Sequence, residues 1–186
     1  MKNLDSFGVV VVDMQAGFER GMDNKEELIN SHKGTLKFAM DNDLPIFFLE
    51  YIEEGKTLNQ VKNATAGYHN KTIFTKYCTG AFRVKKNYFG DFVDYLRKDE
   101  GIRGESCLDL DLQEKGVKNI IISGVNKHAC VQATTEQAVE RGYKVYSAED
   151  LMNQRVIGAP IYGKITTHFE THTELIDHLK DGEKAK

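Results

Sequence analysis

Apolar positions along the chain fall into short dense runs, separated by longer segments in which they recur every three or four residues. Phe7–Asp13 (FGVVVVD) is a continuous, largely β-branched run, the pattern of a strand buried on both faces. Pro45–Glu50 (PIFFLE), Thr72–Lys76 (TIFTK) and Asn119–Val125 (NIIISGV) repeat it. Tyr143–Ser147 (YKVYS) is a shorter fifth strand and Lys164–Phe169 (KITTHF) a weaker sixth. Between them, Asp23 to Glu26 reads as a capping-box-like helix start, with Leu28, Leu36 and Met40 on one face and Gly34 as an unfavourable interior residue. Val131, Thr134, Thr135, Ala138 and Val139 hold helical spacing, closed by Gly142 after Arg141. Thr173–Lys180 is a last helix with Leu175, Ile176 and Leu179 inward. Ser106–Lys115 fits either strand or helix, and helix is preferred because alternating strands and helices imply a parallel sheet that needs crossovers. The expectation is a single three-layer α/β/α domain over residues 1–186.

Two segments exceed that plan. Tyr51–Lys71 is polar and glycine-punctuated, and Arg83–Glu105 is charged, with Phe89, Phe92, Val93 and Leu96 suggesting a helix inside it. Segments this long act as lids, binding loops or oligomer contacts.

Composition narrows the class. The chain has 186 residues, 40% apolar and 28% charged, which suffices for a core without disulfide or metal staples. A net charge of −3 with both signs scattered argues against a nucleic-acid face and against a polybasic membrane patch. The apolar run Val9–Val12 is too short to span a bilayer, and MKNLDSFGVVVVDMQ lacks the features of a secretion signal. Three cysteines, Cys78, Cys107 and Cys130, are widely spaced without a C-x-x-C pair, so neither a disulfide framework nor a zinc knuckle is expected. A reducing cytoplasm is the natural setting. The turn after the first strand reads DMQAGF, which is no dinucleotide fingerprint, and no triphosphate-binding loop occurs.

Ligands of open parallel sheets bind beyond the carboxyl ends of the strands. Strand one ends in Asp13, strand three in Lys76, and strand four runs into Cys130 a few residues past Val125. Singly, each has a plain explanation: a turn-forming Asp, a solvated Lys, a small buried Cys. Jointly they make an acyl-transfer apparatus. A helix N-terminus and Lys76 would lower the Cys130 thiol pKa, Asp13 would take its proton and return it to a leaving amine, and N–H groups around Asn126–Cys130 would receive an oxyanion.

These residues stand in motifs that resemble those of the isochorismatase-like cysteine hydrolase family. VVVVDMQAGF is similar to the family's D-x-Q motif, and FTKYCTGAF to its K-x-x-x-S-A-F segment, with Gly80 for the usual Ser. SGVNKHACVQATTEQAVERGYKV resembles the G-V-x-T-x-x-C-V signature with the helix after it. The resemblance runs from Phe7 to about Leu179. It implies a Rossmann-like sheet of six parallel strands in order 3-2-1-4-5-6, and the triad Asp13, Lys76 and Cys130. It also implies a cis peptide at Val125–Asn126, which turns the Asn126 N–H toward the same point as the Cys130 N–H. By motif position Phe18, Tyr77 and Phe82 are pocket walls. The implied activity is cleavage of a C–N bond in a small amide or ureido-type substrate through a thioester, without cofactor, in a dimer or tetramer.

Departures from the pattern choose among subclasses. Metal-dependent nicotinamidases of the family carry Asp-x-His after strand two, whereas FFLEYIEEGKTLNQ has no histidine. His69, His168, His172 and His178 lack a metal-site context, so no metal is expected. Lys127 stands where threonine is usual; it either faces solvent or reaches toward an anionic substrate. Cys78 either faces the pocket or is merely close in sequence, and Cys107 reads as core. Two alternatives stay open: a vinyl-ether hydrolase of isochorismatase type that does not need the cysteine, and a non-catalytic binding protein on the same fold.

Overall fold

The computed structural model describes residues 4–82, 84–86, 92–94, 96–98, 107–153 and 165–181. Its centre is β1 (Phe7–Val12), every residue of which is buried. β1 pairs in parallel with β2 (Ile46–Tyr51) on one side and with β7 (Asn119–Gly124) on the other. β3 (Lys71–Lys76) extends the first side, and β8 (Lys144–Ala148) and β9 (Thr167–Phe169) the second, all parallel. Counting these six in chain order gives 3-2-1-4-5-6, as the resemblance implies. The sixth strand is shorter than the expected Lys164–Phe169, and Lys164 lies outside the described residues.

Alternation along β1 explains the layers. Val9 and Val11 point into one core with Ile46, Phe48 and Ile121, closed by Leu28, Leu36 and Ala39 of α1 (Lys25–Asp41), Val61 of α2 (Asn59–Lys62) and Leu175 and Leu179 of α5 (His172–Asp181). Val10 and Val12 point into a second with Phe47, Leu49 and Ile122, closed by Leu108 and Leu112 of α3 (Cys107–Glu114) and Ala138 of α4 (Gln132–Glu140). Each such buried side chain contributes on the order of 1.5–3 kcal/mol of transfer free energy. Within the segment expected as helix, Cys107–Glu114 is helical, as preferred, Ser106 lies outside the described residues, and the apolar stripes of α1 and α5 face inward. Met40 is half-buried at the edge of the first core.

Two expectations are corrected. The helix foreseen around Phe92, Val93 and Leu96 is absent: β5 (Phe92–Asp94) forms a hairpin with β4 (Val84–Lys86), and β6 (Leu96–Lys98) pairs antiparallel with β3. β3 would otherwise present an unpaired sheet edge, and β6 satisfies it. Phe89 lies outside the described residues. No capping box opens α1; Asn24 takes the cap position in the left-handed region at φ 51° without a side-chain cap bond. Gly34 has a packing reason, since a Cβ there would fall 2.6 Å from His172 Nε2 of α5. Among the described residues no helix is long and apolar enough to cross a membrane.

Candidate functional site

The three strand-end residues converge. Asp13 follows β1 with φ 52°, which turns its side chain off the strand line, and its N–H donates to Leu49 O at 2.9 Å. Lys76 closes β3, with its Nζ 2.7 Å from Asp13 Oδ2 and both side chains fully buried. That ammonium also donates to the carbonyls of Cys78 at 3.1 Å and Thr79 at 3.2 Å and lies 4.9 Å from the Tyr51 ring centroid. Cys130 is 8% exposed, in a π-type turn (Lys127–Val131) ahead of α4, a local widening frequent at functional sites. The Asn126 carbonyl accepts from Ala129 N–H at 3.0 Å and Val131 N–H at 3.2 Å, and the Val125–Asn126 peptide is cis. Gly124 is required just before, because a Cβ there would lie 1.9 Å from the Val12 carbonyl oxygen.

The electrostatics differ from the expectation. Burial pushes the Asp13 carboxyl above the ordinary carboxylate range; the Lys76 charge and the polar contacts of Lys76 and Cys130 oppose this without cancelling it. Lys76 Nζ, 2.7 Å from Oδ2, supplies the buried carboxylate with its counter-charge. Burial first, then the Asp13 charge, pushes the Cys130 thiol up to about 11 against the pull of Lys76. The foreseen acidic thiol is thus corrected: at neutral pH Cys130 is a protonated thiol beside a carboxylate able to accept its proton.

Buried polar side chains shape the surroundings. Gln15 accepts from Tyr51 N–H at 2.6 Å and donates to the carbonyls of Tyr51 at 2.9 Å and Gly55 at 2.5 Å. Glu50, 2% exposed, accepts from Thr57 N–H and Oγ1, both at 2.9 Å. Together they clamp the start of the long polar segment after β2 against the site. Glu50 was missed in the sequence reading; a carboxylate closing an apolar strand was its signal.

Lys127 does not face solvent. It is buried, its ammonium paired with Glu149. Glu149 also meets His168 Nε2 at 3.0 Å, and His168 Nδ1 meets Ser147 Oγ at 2.8 Å. Burial alone would raise the Glu149 pKa, but bonds and charge from Lys127 and His168 lower it. Asn153 was also missed: it accepts from Lys127 N–H at 3.2 Å and donates to Asn126 Oδ1 at 3.0 Å and Gly21 O at 3.1 Å.

The expected pocket walls separate. Phe18 is half-buried, its ring edge-on to Tyr51 with centroids 6.4 Å apart. Tyr77 is half-buried next to Lys76. Phe82 is core, not wall: fully buried, it packs on Tyr143 under the Arg141 guanidinium. Cys78 is half-buried and its thiol donates to Gly80 O at 3.0 Å. A Cβ at Gly80 would meet the Gln137 side-chain amide at 2.4 Å. The Cys107 side chain lies outside the described residues. His69 is exposed near Asp43, His172 pairs with Asp150, and His178 packs against Phe169. Among the described residues no group of three or more metal-binding side chains occurs.

A cavity of about 530 Å³ lies at the opposite, amino end of β7 and β8, between Lys118, Asn119, Tyr143 and Lys144. It touches none of the three convergent residues, and the chemistry, not the cavity's size, locates the site.

Residues 8–156 match the isochorismatase domain model. A curated relative, the uncharacterized isochorismatase family protein YddQ of Bacillus subtilis (strain 168), is 21% identical over 76% of this chain and 74% of its own. Among solved structures, the MAR1 ribonuclease from Caenorhabditis elegans superposes with TM-score 0.74 at 21% identity, over 98% of this chain and 85% of that one. A cysteine hydrolase from Pseudomonas syringae pv. phaseolicola 1448A superposes with TM-score 0.72 at 16% identity, over 96% and 94%.

Proposed function

The chain belongs to the isochorismatase family, a hydrolase family, and from that premise we propose that it is a cysteine hydrolase cleaving a C–N bond of a small amide or ureido-type compound. The observation that carries the reading is the buried Asp13–Lys76–Cys130 cluster, in which Lys76 pairs with Asp13 at 2.7 Å and the Cys130 thiol lies within interaction range of both. The solved cysteine hydrolase of the same fold supports it. A net charge of −3 does not favour a polyanionic substrate such as that of a ribonuclease.

In the proposed mechanism the Cys130 proton passes to Asp13 as sulfur attacks the substrate carbonyl. A C–S bond forms and the carbonyl π pair moves onto oxygen, where the N–H groups of Asn126 and Cys130 receive it. On collapse the C–N bond breaks and Asp13 delivers its proton to the leaving nitrogen. Asp13 then deprotonates a water, which attacks the thioester; the C–S bond breaks and the sulfur regains a proton. Lys76 balances the changing charge on Asp13 throughout, which explains a lysine kept wholly out of water.

Cys130→Ala is expected to abolish turnover of amide and ureido substrates while circular dichroism stays native. A Cys130→Ala enzyme of undiminished activity would sink the covalent mechanism. The raised thiol pKa favours one second reading, a vinyl-ether hydrolase that uses Asp13 as proton donor without the cysteine. Vinyl-ether turnover that survives Cys130 alkylation would select it.

A further inference from the structure

We propose that Asn153 is the positioning residue of the oxyanion-receiving loop, holding Asn126 and Lys127 at the geometry acyl transfer needs. The inference rests on the covalent reading above and assigns a role to a residue outside the triad.

Asn153 sits where three site-bearing segments meet. Its neighbour Met152 bridges in parallel to Gly124 at the end of β7, which fixes the Asn153 backbone one step from the Val125–Asn126 peptide. Its side chain is 2% exposed and spends both amide ends. Oδ1 accepts from the Lys127 N–H at 3.2 Å; Nδ2 donates to Asn126 Oδ1 at 3.0 Å and to Gly21 O at 3.1 Å. Amide orientation is usually inferred from the network, and here two backbone groups dictate it. Gly21 O can only accept and Lys127 N–H can only donate, so the reverse orientation would set oxygen against oxygen and N–H against N–H.

The consequences are directional. Gly21 ends the turn Ala16–Gly21 that follows Asp13, and Asn126–Lys127 open the turn that carries Cys130. Asn153 therefore ties the segment after the acid–base residue to the segment before the nucleophile. Lys127 is held a second time through its ammonium on Glu149, so the loop is tethered by backbone and side chain alike. An oxyanion hole works only when its donors already point where charge will develop, because reorientation during reaction forfeits most of their worth. A loop freed from Asn153 keeps Cys130 and Asp13 but lets the Asn126 N–H wander.

Two probes of the same sulfur separate these functions. Iodoacetamide alkylates Sγ by displacement at a saturated carbon: a C–S bond forms, iodide leaves, and no oxyanion arises. p-Nitrophenyl acetate acylates Sγ through a tetrahedral oxyanion: a C–S bond forms, p-nitrophenolate leaves, and the thiol proton passes to Asp13. Both rate constants would be measured on wild type, Asn153→Ala and the near-isosteric Asn153→Asp, which keeps the acceptor for Lys127 but loses both donations. Acylation should fall on the order of 10- to 100-fold, a part of what losing one oxyanion donor costs, while alkylation stays within about twofold. A parallel fall of both rates in the folded variants, or no fall in either, overturns the proposal. If wild type shows no Cys130-dependent burst of p-nitrophenolate, the covalent reading fails and this inference with it; an undiminished burst in the Asn153 variants defeats this inference alone.

Discussion

Replacing Asp13 by Asn should make Cys130 more acidic while removing turnover, an outcome opposite to that expected if the carboxylate activated the thiol by polarising it. The Cys130 thiol is pushed up to about 11 by burial and by the negative charge of Asp13, with Lys76 pulling it down. Two unit charges about 4 Å apart interact by about 4 kcal/mol at an effective dielectric of ~20. At 1.36 kcal/mol per pH unit that bounds the Asp13 contribution at about three units. Asn keeps the shape and the burial, so the thiol then feels Lys76 without its counter-charge. Its titration midpoint should drop by about one to three pH units.

The assay is the rate of Cys130 alkylation by iodoacetamide from pH 6.5 to 9.5, read by mass spectrometry. Wild-type rates should still be climbing at the top of the range, because the thiol is mostly protonated throughout it. Rates in Asp13→Asn should begin to level inside it. Hydrolysis in the same variant should fall by about 10²- to 10⁴-fold, since nothing protonates the leaving nitrogen. An alkylation profile that does not move, or that moves upward, would refute the view that Asp13 holds the proton on the sulfur.

Two further predictions concern the scaffold. Gly→Ala in a helix interior ordinarily stabilises by about 1 kcal/mol, but Gly34→Ala should lower the melting temperature, because the new Cβ would fall 2.6 Å from a His172 ring whose Nδ1 meets Asp150 Oδ2 at 2.6 Å, while the His172 backbone N–H donates to Asp150 Oδ1 at 2.7 Å; a raised melting temperature would show that the ring yields freely. His32 is buried with its pKa lowered to about 4, chiefly by burial, so below pH 6.5 the unfolded chain takes up a proton that the native state refuses. Stability from this group is intact above pH 6.5 and falls by about 3 kcal/mol as pH drops to about 4, a loss that urea titrations should find flattened in His32→Leu; equal pH slopes in the two proteins would contradict it.

Much of the fold was legible because the sheet announces itself locally. A run such as FGVVVV has no polar face to expose, so it had to lie between two helical layers. What stayed hidden depends on partners distant in sequence. β6 is a strand because β3 offers it an edge, and nothing within Phe92–Lys98 discloses that edge. Lys127 looked solvated because its counter-charge, Glu149, arrives from beyond β8. Glu50 and Asn153 act mainly on backbone groups and loop segments, which carry no residue-type signature to search for.

The clustering of Asp13, Lys76 and Cys130 was legible and the resting charge state of the thiol was misread, and the reason bears on the proposed mechanism. A helix N-terminus is worth about 0.3–1 kcal/mol to an anion near a surface. Removing a thiolate from water costs more than that, and a carboxylate at contact distance adds repulsion. With Cys130 8% exposed and within interaction range of Asp13, those two effects win over the dipole and Lys76 together. In the proposed mechanism the nucleophile is therefore created by proton transfer during attack rather than stored as a thiolate. That requires an adjacent base whose protonated form is also tolerable. Burial raises Asp13 while Lys76 pairs with it at 2.7 Å, and in the proposed mechanism the same proton is later handed to the leaving nitrogen.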